Sequence, residues 1–311
     1  MAERGLLDLI IARLPGLSFP QKIRLCESFE EEQDIIRASR SDIEAILEFR
    51  LLSQNGSLWD IDTIRKKADR DEQKARQKGM QWVSWHSVEY PPLLREIYDP
   101  PVLLFFRGRL PNPQSPLAAV VGTRKPSPAA AAQAFDIAQG LGQNGISVVS
   151  GLATGIDSMA HRGNIEGCSA GMTAAQTDAP AATVAVLGSA VDEVYPSSNR
   201  TLARRVLETG GVLLSEYPPG TGPRKWTFPA RNRIISGLSR GILIVEAPQK
   251  SGALITARFA LEQNRDLWVA SAGIMEGRFD RRGTKKLVQD GAEVIHSAAD
   301  ILKAWNKGAE K

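Results

Sequence analysis

From residue 117 onward, short apolar runs alternate with stretches of helical period. Leu117–Val121, Ile146–Val149, Thr183–Leu187, Val212–Leu214, Gly241–Glu246, Leu267–Ala270 and Glu293–Ile295 each read as a strand. They are continuous apolar segments rather than alternating ones, the pattern of strands covered on both faces. The intervening stretches repeat with helical spacing. Phe135, Ile137, Ala138 and Leu141 lie in the first, Leu202, Val206 and Leu207 in a later one, and Ile234, Ile235 and Leu238 in another. A further helix is predicted after Asp157, ending near Gly167, and others over Leu254–Gln263, Thr284–Val288 and Ala298–Trp305. Repeated βα units predict an α/β fold with a doubly wound, mostly parallel sheet.

The chain before this core has a different pattern. Residues 1 to 80 read as a small all-helical domain, and 81–311 as the α/β domain. Leu6, Leu7, Leu9, Ile10 and Leu14 form a first apolar face that ends at Pro15-Gly16. Ile23, Leu25 and Cys26 begin a second helix, and Ser41 can cap another with Ile43, Ile46 and Leu47 inward. The segment Leu14-Pro15-Gly16-Leu17 before a helix resembles a helix-hairpin-helix, or SAM-like, module. Arg65 to Lys78 reads as a charged helix with a solvated face, ended by Gly79. Gln81–Trp85 and Val102–Arg107 read as strands, and Pro111–Pro116 as a loop.

Composition narrows the class of protein. The 311 residues are 42% hydrophobic and 24% charged, as in an ordinary globular protein. The net charge of +4 permits nucleic acid without demanding it, so the placement of the cations matters. Cys26 and Cys168 match no metal or redox spacing and read as reduced bystanders. Leu6–Leu14 is too short and too charged for a signal peptide or a membrane span, which predicts a cytoplasmic protein without membrane contact.

The common enzyme signatures are absent from the sequence. There is no G-x-x-x-x-G-K-[ST], no G-x-G-x-x-G after the first core strand and no G-x-S-x-G. His86, His161 and His296 are scattered, so no metal site and no cofactor are expected. What remains is a set of strand ends rich in amides, hydroxyls and guanidinium groups. Gly122, Thr123 and Arg124 follow the first core strand, and Ser150, Gly151 and Gly155 follow the second. Ligands of such sheets bind outside the carboxyl ends of the strands, where helix amino termini favour anions. Gly220 to Arg240 holds the densest cation cluster, with Arg224, Lys225, Arg231, Arg233 and Arg240 interleaved with Trp226 and Phe228. Cations beside exposed rings suit single-stranded nucleic acid, because phosphates meet the charges and bases stack on the rings. The alternative is that the arginines pair with Glu216 and Glu246 while the rings pack inward. Asn232 reads as a loop-holding residue, and Ser251-Gly252 as one more phosphate-facing turn. Asp157 and His161 share a helix face but read as a capping carboxylate and a packing imidazole. Glu216 and Glu246 read as loop organisers.

These residues resemble the bacterial DNA-processing protein A (DprA/Smf) family. The resemblance rests on Val121-Gly122-Thr123-Arg124, Ser150–Asp157 with Ala160-His161, Tyr195-Pro196, Ser215-Glu216, Phe228–Ile235, and Val245-Glu246-Ala247 with Ser251–Thr256. It implies an extended Rossmann-like domain that binds single-stranded DNA, forms a homodimer and loads the recombinase RecA in natural transformation, without catalysis. It also implies that Arg124, Lys225 and Phe228 form the DNA pocket. Thr154 stands where many members have lysine, Ser271-Ala272-Gly273 replaces a usual Pro-Gly turn, and Gly283-Thr284-Lys285-Lys286 alters a usual Gly-x-Asn loop. The segment Ser169–Ala182 has no assigned counterpart. The chain stops after Trp305–Lys311, so no C-terminal winged helix is expected. The rival reading is a nucleotide-binding or nucleoside-monophosphate-cleaving enzyme of the lysine-decarboxylase-like Rossmann group, whose P-G-G-x-G-T-x-x-E signature is not found here.

Overall fold

A computed structural model describes residues 5–49, 60–171 and 183–307. Most of the segment Ser169–Ala182 lies outside the described residues. The chain divides into two compact units. One comprises 1–90 with 99–105, the other 91–98 with 106–311.

The first unit contains helices α1 (Gly5–Arg13), α2 (Phe19–Ser28), α3 (Glu32–Arg37), α4 (Arg40–Leu47) and α5 (Ile61–Gln77), then strand β1 (Gln81–Ser84). Leu7, Leu9, Ile10, Leu25, Cys26 and Ile35 are buried in it. The cap of α4 is Ser39 rather than Ser41. Its hydroxyl accepts from the amide of Asp42 while the Asp42 carboxylate accepts from the Ser39 amide, a reciprocal capping box. The charged helix α5 is not merely a solvated face. Ile64, Ala68 and Ala75 are buried along it, and so is Asp71. The Asp71 carboxylate accepts two hydrogen bonds from Arg13, at 2.6 and 2.7 Å. That bidentate pair ties α5 to α1, which the sequence pattern did not reveal.

The second unit opens with the short helix α6 (Pro92–Arg95), and strand β2 (Leu103–Gly108) runs into it from the first. The core then alternates as expected: β3 (Leu117–Val121), α7 (Pro128–Gln143), β4 (Ser147–Ser150), α8 (Ile156–Gly171), β5 (Thr183–Val186), α9 (Arg200–Glu208) and β6 (Val212–Ser215). It continues with α10 (Thr227–Leu238), β7 (Gly241–Ile244), α11 (Gly252–Glu262), β8 (Asp266–Ala270), α12 (Arg282–Gln289), β9 (Glu293–Ile295) and α13 (Ala298–Lys307). Strands β3 to β9 lie in the order β6-β5-β4-β3-β7-β8-β9, every neighbouring pair parallel. The chain winds from β3 to one side through β6, then returns to the other side of β3 at β7. The reversal makes β3 and β7 the topological switch point, where a crevice opens beyond the strand ends.

Burial explains the continuous apolar runs. All residues of β3 to β7 are buried. On one face Val120, Val148 and Leu243 share a core with Ile137 and Leu141 of α7 and with Ile301 and Trp305 of α13. Helix α10 packs across β3, β4 and β5. Serines can end β4 and β6 inside the core because each finds an internal partner. The Ser150 hydroxyl donates to the Val120 carbonyl at 2.7 Å, and Ser215 donates to the Ser189 carbonyl at 2.7 Å.

Candidate functional site

The crevice at the switch point is an open groove of ≈ 780 Å³. Its walls come from the end of β3 and the turn after it (Val121 to Lys125), Lys225 and the first turns of α10, the segment after β7 (Glu246, Pro248 and Lys250) and the start of α11. Ser251 caps α11, its hydroxyl accepting from the Ala253 amide at 3.2 Å. The first turn of that helix therefore meets the groove, where orphan amides and the helix dipole favour an anion.

Arg124, Lys225 and Phe228 come together here from positions a hundred residues apart. Arg124 and Lys225 are exposed and Phe228 is half-buried. The Arg124 guanidinium lies 5.8 Å from the centroid of the Phe228 ring, within cation–π range. The ring is seated on Gly188, where a Cβ atom would lie 2.8 Å from its Cδ1. Tyr195 packs beside it, centroid to centroid 5.5 Å. Trp226 points elsewhere: it is 59% exposed and meets Tyr217 edge-on at 6.0 Å.

Two of the predicted phosphate cations have other work. Arg231 is 5% exposed, and one of its terminal nitrogens donates to the carbonyls of Gly151 (2.9 Å) and Val186. Burial pulls its guanidinium down to about 10, with the Asp157 charge acting to hold the proton and Arg124 acting against it. Arg233 donates to both carboxylate oxygens of Glu216, at 2.9 and 2.7 Å, so its charge is neutralised within the fold. A charged side chain on an inward helix face keeps its charge only by finding such partners. Glu246 also pairs with an arginine, though with Arg281, which the sequence did not suggest. Their closest atoms are 2.7 Å apart and both side chains are almost fully buried. The approach is off the N–H axis, so the contact is an ion pair rather than an aligned hydrogen bond. Glu246 also accepts from the Ser127 amide at 2.6 Å, which ties β7 to the start of α7.

The turn residues are likewise held by the protein's own chain. The Thr123 amide donates to the Glu246 carbonyl at 2.8 Å and so is taken. The Ser150 hydroxyl is buried in its bond to Val120. Gly122 packs against Ile156 and the Glu246 carbonyl. Gly151 lies against Arg231 and Asp157, and a Cβ there would come within 2.6 Å of both. Gly155 has φ +81°, and its close neighbour is the backbone of Thr123 and Arg124 rather than open space. These three glycines thus answer packing needs first. Asn232 donates to the Gly252 carbonyl at 3.1 Å, holding the α11 entrance as expected of a loop-fixing residue.

The acids facing the groove do not fill it. Burial raises the Asp157 carboxyl above its ordinary range, and the nearby Arg231 charge opposes that shift. His161 is fully buried. Thr183 Oγ1 donates to the Val148 carbonyl, so the 2.9 Å contact between His161 Nδ1 and that oxygen has the imidazole as donor. Its Nε2 is then unprotonated and buried without a hydrogen-bond partner among the described residues, and burial lowers the pKa to about 3. An imidazole with no solvent face cannot serve as an acid or base for a ligand in the groove. Among the described residues no cluster of three or more His, Cys, Asp or Glu is placed to hold a metal. No described helix is long and apolar enough to cross a membrane.

The profile of the DNA recombination-mediator protein A family matches residues 81–306. The chain belongs to that family. DNA processing protein DprA of Streptococcus pneumoniae is 42% identical over 213 residues, 68% of this chain and 70% of that protein. Protein Smf of Synechocystis is 41% identical over 233 residues, 73% of this chain but 54% of the relative's length. The match to Smf of Borreliella burgdorferi runs over 300 residues at 32% identity, covering 96% of this chain and 88% of that one. Among solved structures, the S. pneumoniae DprA chain superimposes with a TM-score of 0.75 at 32% identity, over 96% of this chain and 97% of that one. DprA of Helicobacter pylori, whose structure describes a single-stranded DNA binding mode, gives a TM-score of 0.58 at 26% identity, over 73% and 97%.

Proposed function

We propose that this chain is a DNA-processing protein that binds single-stranded DNA in the switch-point groove. In this reading Arg124 and Lys225 meet phosphates, a base lies on Phe228, and the first turn of α11 at Ser251 and Gly252 offers amides. Gly122, Thr123, Ser150, Gly151, Gly155, Arg231, Asn232 and Arg233 shape the groove rather than touch the strand. The observation that carries the reading is the meeting of two exposed cations, neither with a carboxylate partner among the described residues, with a seated ring in one open crevice. The family membership and the H. pylori relative support it. By the same family logic the protein acts as a homodimer, protects incoming DNA and hands it to RecA in transformation.

Electrophoretic shift on matched single- and double-stranded oligonucleotides tests the binding claim. A ring platform needs an unstacked base, so the single strand is expected to shift at lower protein concentration. Equal shifts on both, or none on either, would contradict it. Light scattering tests the dimer, and RecA filament assembly on protein-coated strands tests the hand-over.

A further inference from the structure

The groove has a second ring that the reading above leaves unused. Phe279 lines the groove, as do Lys250 and Pro248. This ring carries a guanidinium on each of two neighbours: Arg278 at 5.3 Å from the centroid and Arg281 at 5.5 Å. The two differ in burial. Arg281 is 5% exposed and paired with Glu246, so it anchors the loop to the end of β7. Arg278 is exposed. On either side of the loop, the Thr284 hydroxyl donates to the Gly273 carbonyl and Arg281 donates to the Met275 carbonyl at 3.0 Å. The loop is therefore fastened at both ends while Phe279 and Arg278 stay at its accessible edge.

We infer that the Gly277–Arg281 loop forms a second nucleotide subsite, which takes a further base and phosphate of the strand whose first base lies on Phe228. This rests on the single-strand reading proposed above. The composition is similar at both places: a half-buried ring, an exposed guanidinium beside it and a lysine lining the same groove. A groove of ≈ 780 Å³ also has room for more than one nucleotide. Asp280 stands between the two as the one exposed carboxylate of the loop, but Arg282 binds it at 2.8 and 3.0 Å, which offsets its repulsion of a phosphate.

The bland alternative is that Phe279 only covers the Arg281–Glu246 pair. Leucine preserves that cover while removing the stacking face, and tryptophan enlarges the face. Fluorescence titrations with oligo-dT would compare wild type, Phe279→Leu, Phe279→Trp, Arg278→Ala and, as a reference, Phe228→Leu, each with its thermal melt. The subsite predicts that Phe279→Leu weakens binding by roughly 5-fold or more at an unchanged melting temperature, with Phe279→Trp equal to or tighter than wild type. Arg278→Ala is expected to lower the salt slope by about 0.7. If wild type binds and Phe228→Leu weakens it, yet Phe279→Leu and Arg278→Ala match wild type, the second subsite is overturned and the first stands. If wild type binds no strand, the underlying reading fails instead.

Discussion

Arg124 lies over the ring of Phe228, its guanidinium carbon 5.8 Å from the ring centre. One residue ends a strand and the other opens a helix that returns after three more strands, so only the fold brings them together. The pair puts a charge and a stacking face at the point where the sheet reverses its winding. Among the described residues no carboxylate pairs with Arg124, whereas Arg233 and Arg281 are each consumed by one. Position along the chain therefore predicts less about a cation's task than the partner it meets.

Lys225 and Arg231 sit on the same segment and are expected to fail in opposite ways. Lys225→Ala should weaken oligonucleotide binding and leave the urea unfolding midpoint where it is, because the side chain is exposed. Arg231→Met should destabilise by about 3–5 kcal/mol, since it strands the carbonyls of Gly151 and Val186 and the buried Asp157. Urea titration beside a binding curve separates the two. A stable Arg231→Met protein with weakened binding would mean that Arg231 meets the strand directly.

Gly151→Ala places a methyl group 2.5 to 2.6 Å from the Arg231 guanidinium nitrogens and the Asp157 carboxylate. Overpacking of this kind costs about 1–3 kcal/mol. The expected result is a lowered melting temperature. An unchanged melt would show that the glycine is not there for packing.

His161 makes the fold sensitive to acid. Its imidazole has a pKa of about 3 when folded, against 6.5 for the ordinary group. Between those values the unfolded chain binds more protons than the folded one, so stability rises with pH through that window and is lost on acidification. Asp157 works in the opposite sense: its raised pKa adds stability at low pH that fades as pH rises. The His161→Gln variant isolates the first effect. Its stability between pH 6.5 and 3 should fall less steeply than that of wild type, as read by urea midpoints at each pH. Parallel curves for the two proteins would refute the buried neutral imidazole.

The sheet was legible in the sequence because its strands are buried on both faces, which writes them as unbroken apolar runs. Strand β3 matches its predicted limits, β4 is shifted one residue later and β6 runs one residue further, and the hydroxyls of Ser150 and Ser215 at their ends find buried acceptors. The pair Arg124 and Phe228 was legible as chemistry, a cation after a strand and a ring among cations. The pairing of Arg233 with Glu216 was open in the sequence as the alternative to phosphate binding, but the partners of Arg231 and Glu246 were not. Arg231 is decided by a carbonyl 80 residues away and Glu246 by an amide 119 residues away, and spacing along the chain carries no sign of either. The ion pair of Asp71 with Arg13, 58 residues distant, was hidden in the same way inside a helix that reads as solvated. Helix α3 was missed because six residues offer too short a window for periodicity.

The most direct test is a set of oligo-dT titrations on wild type, Arg124→Ala and Phe228→Ala across a range of salt. The account predicts that Arg124→Ala lowers affinity and flattens the salt slope by about 0.7, while Phe228→Ala loses roughly 1–3 kcal/mol of binding with the slope intact. Two variants that bind as wild type does, with the same slope, would contradict it.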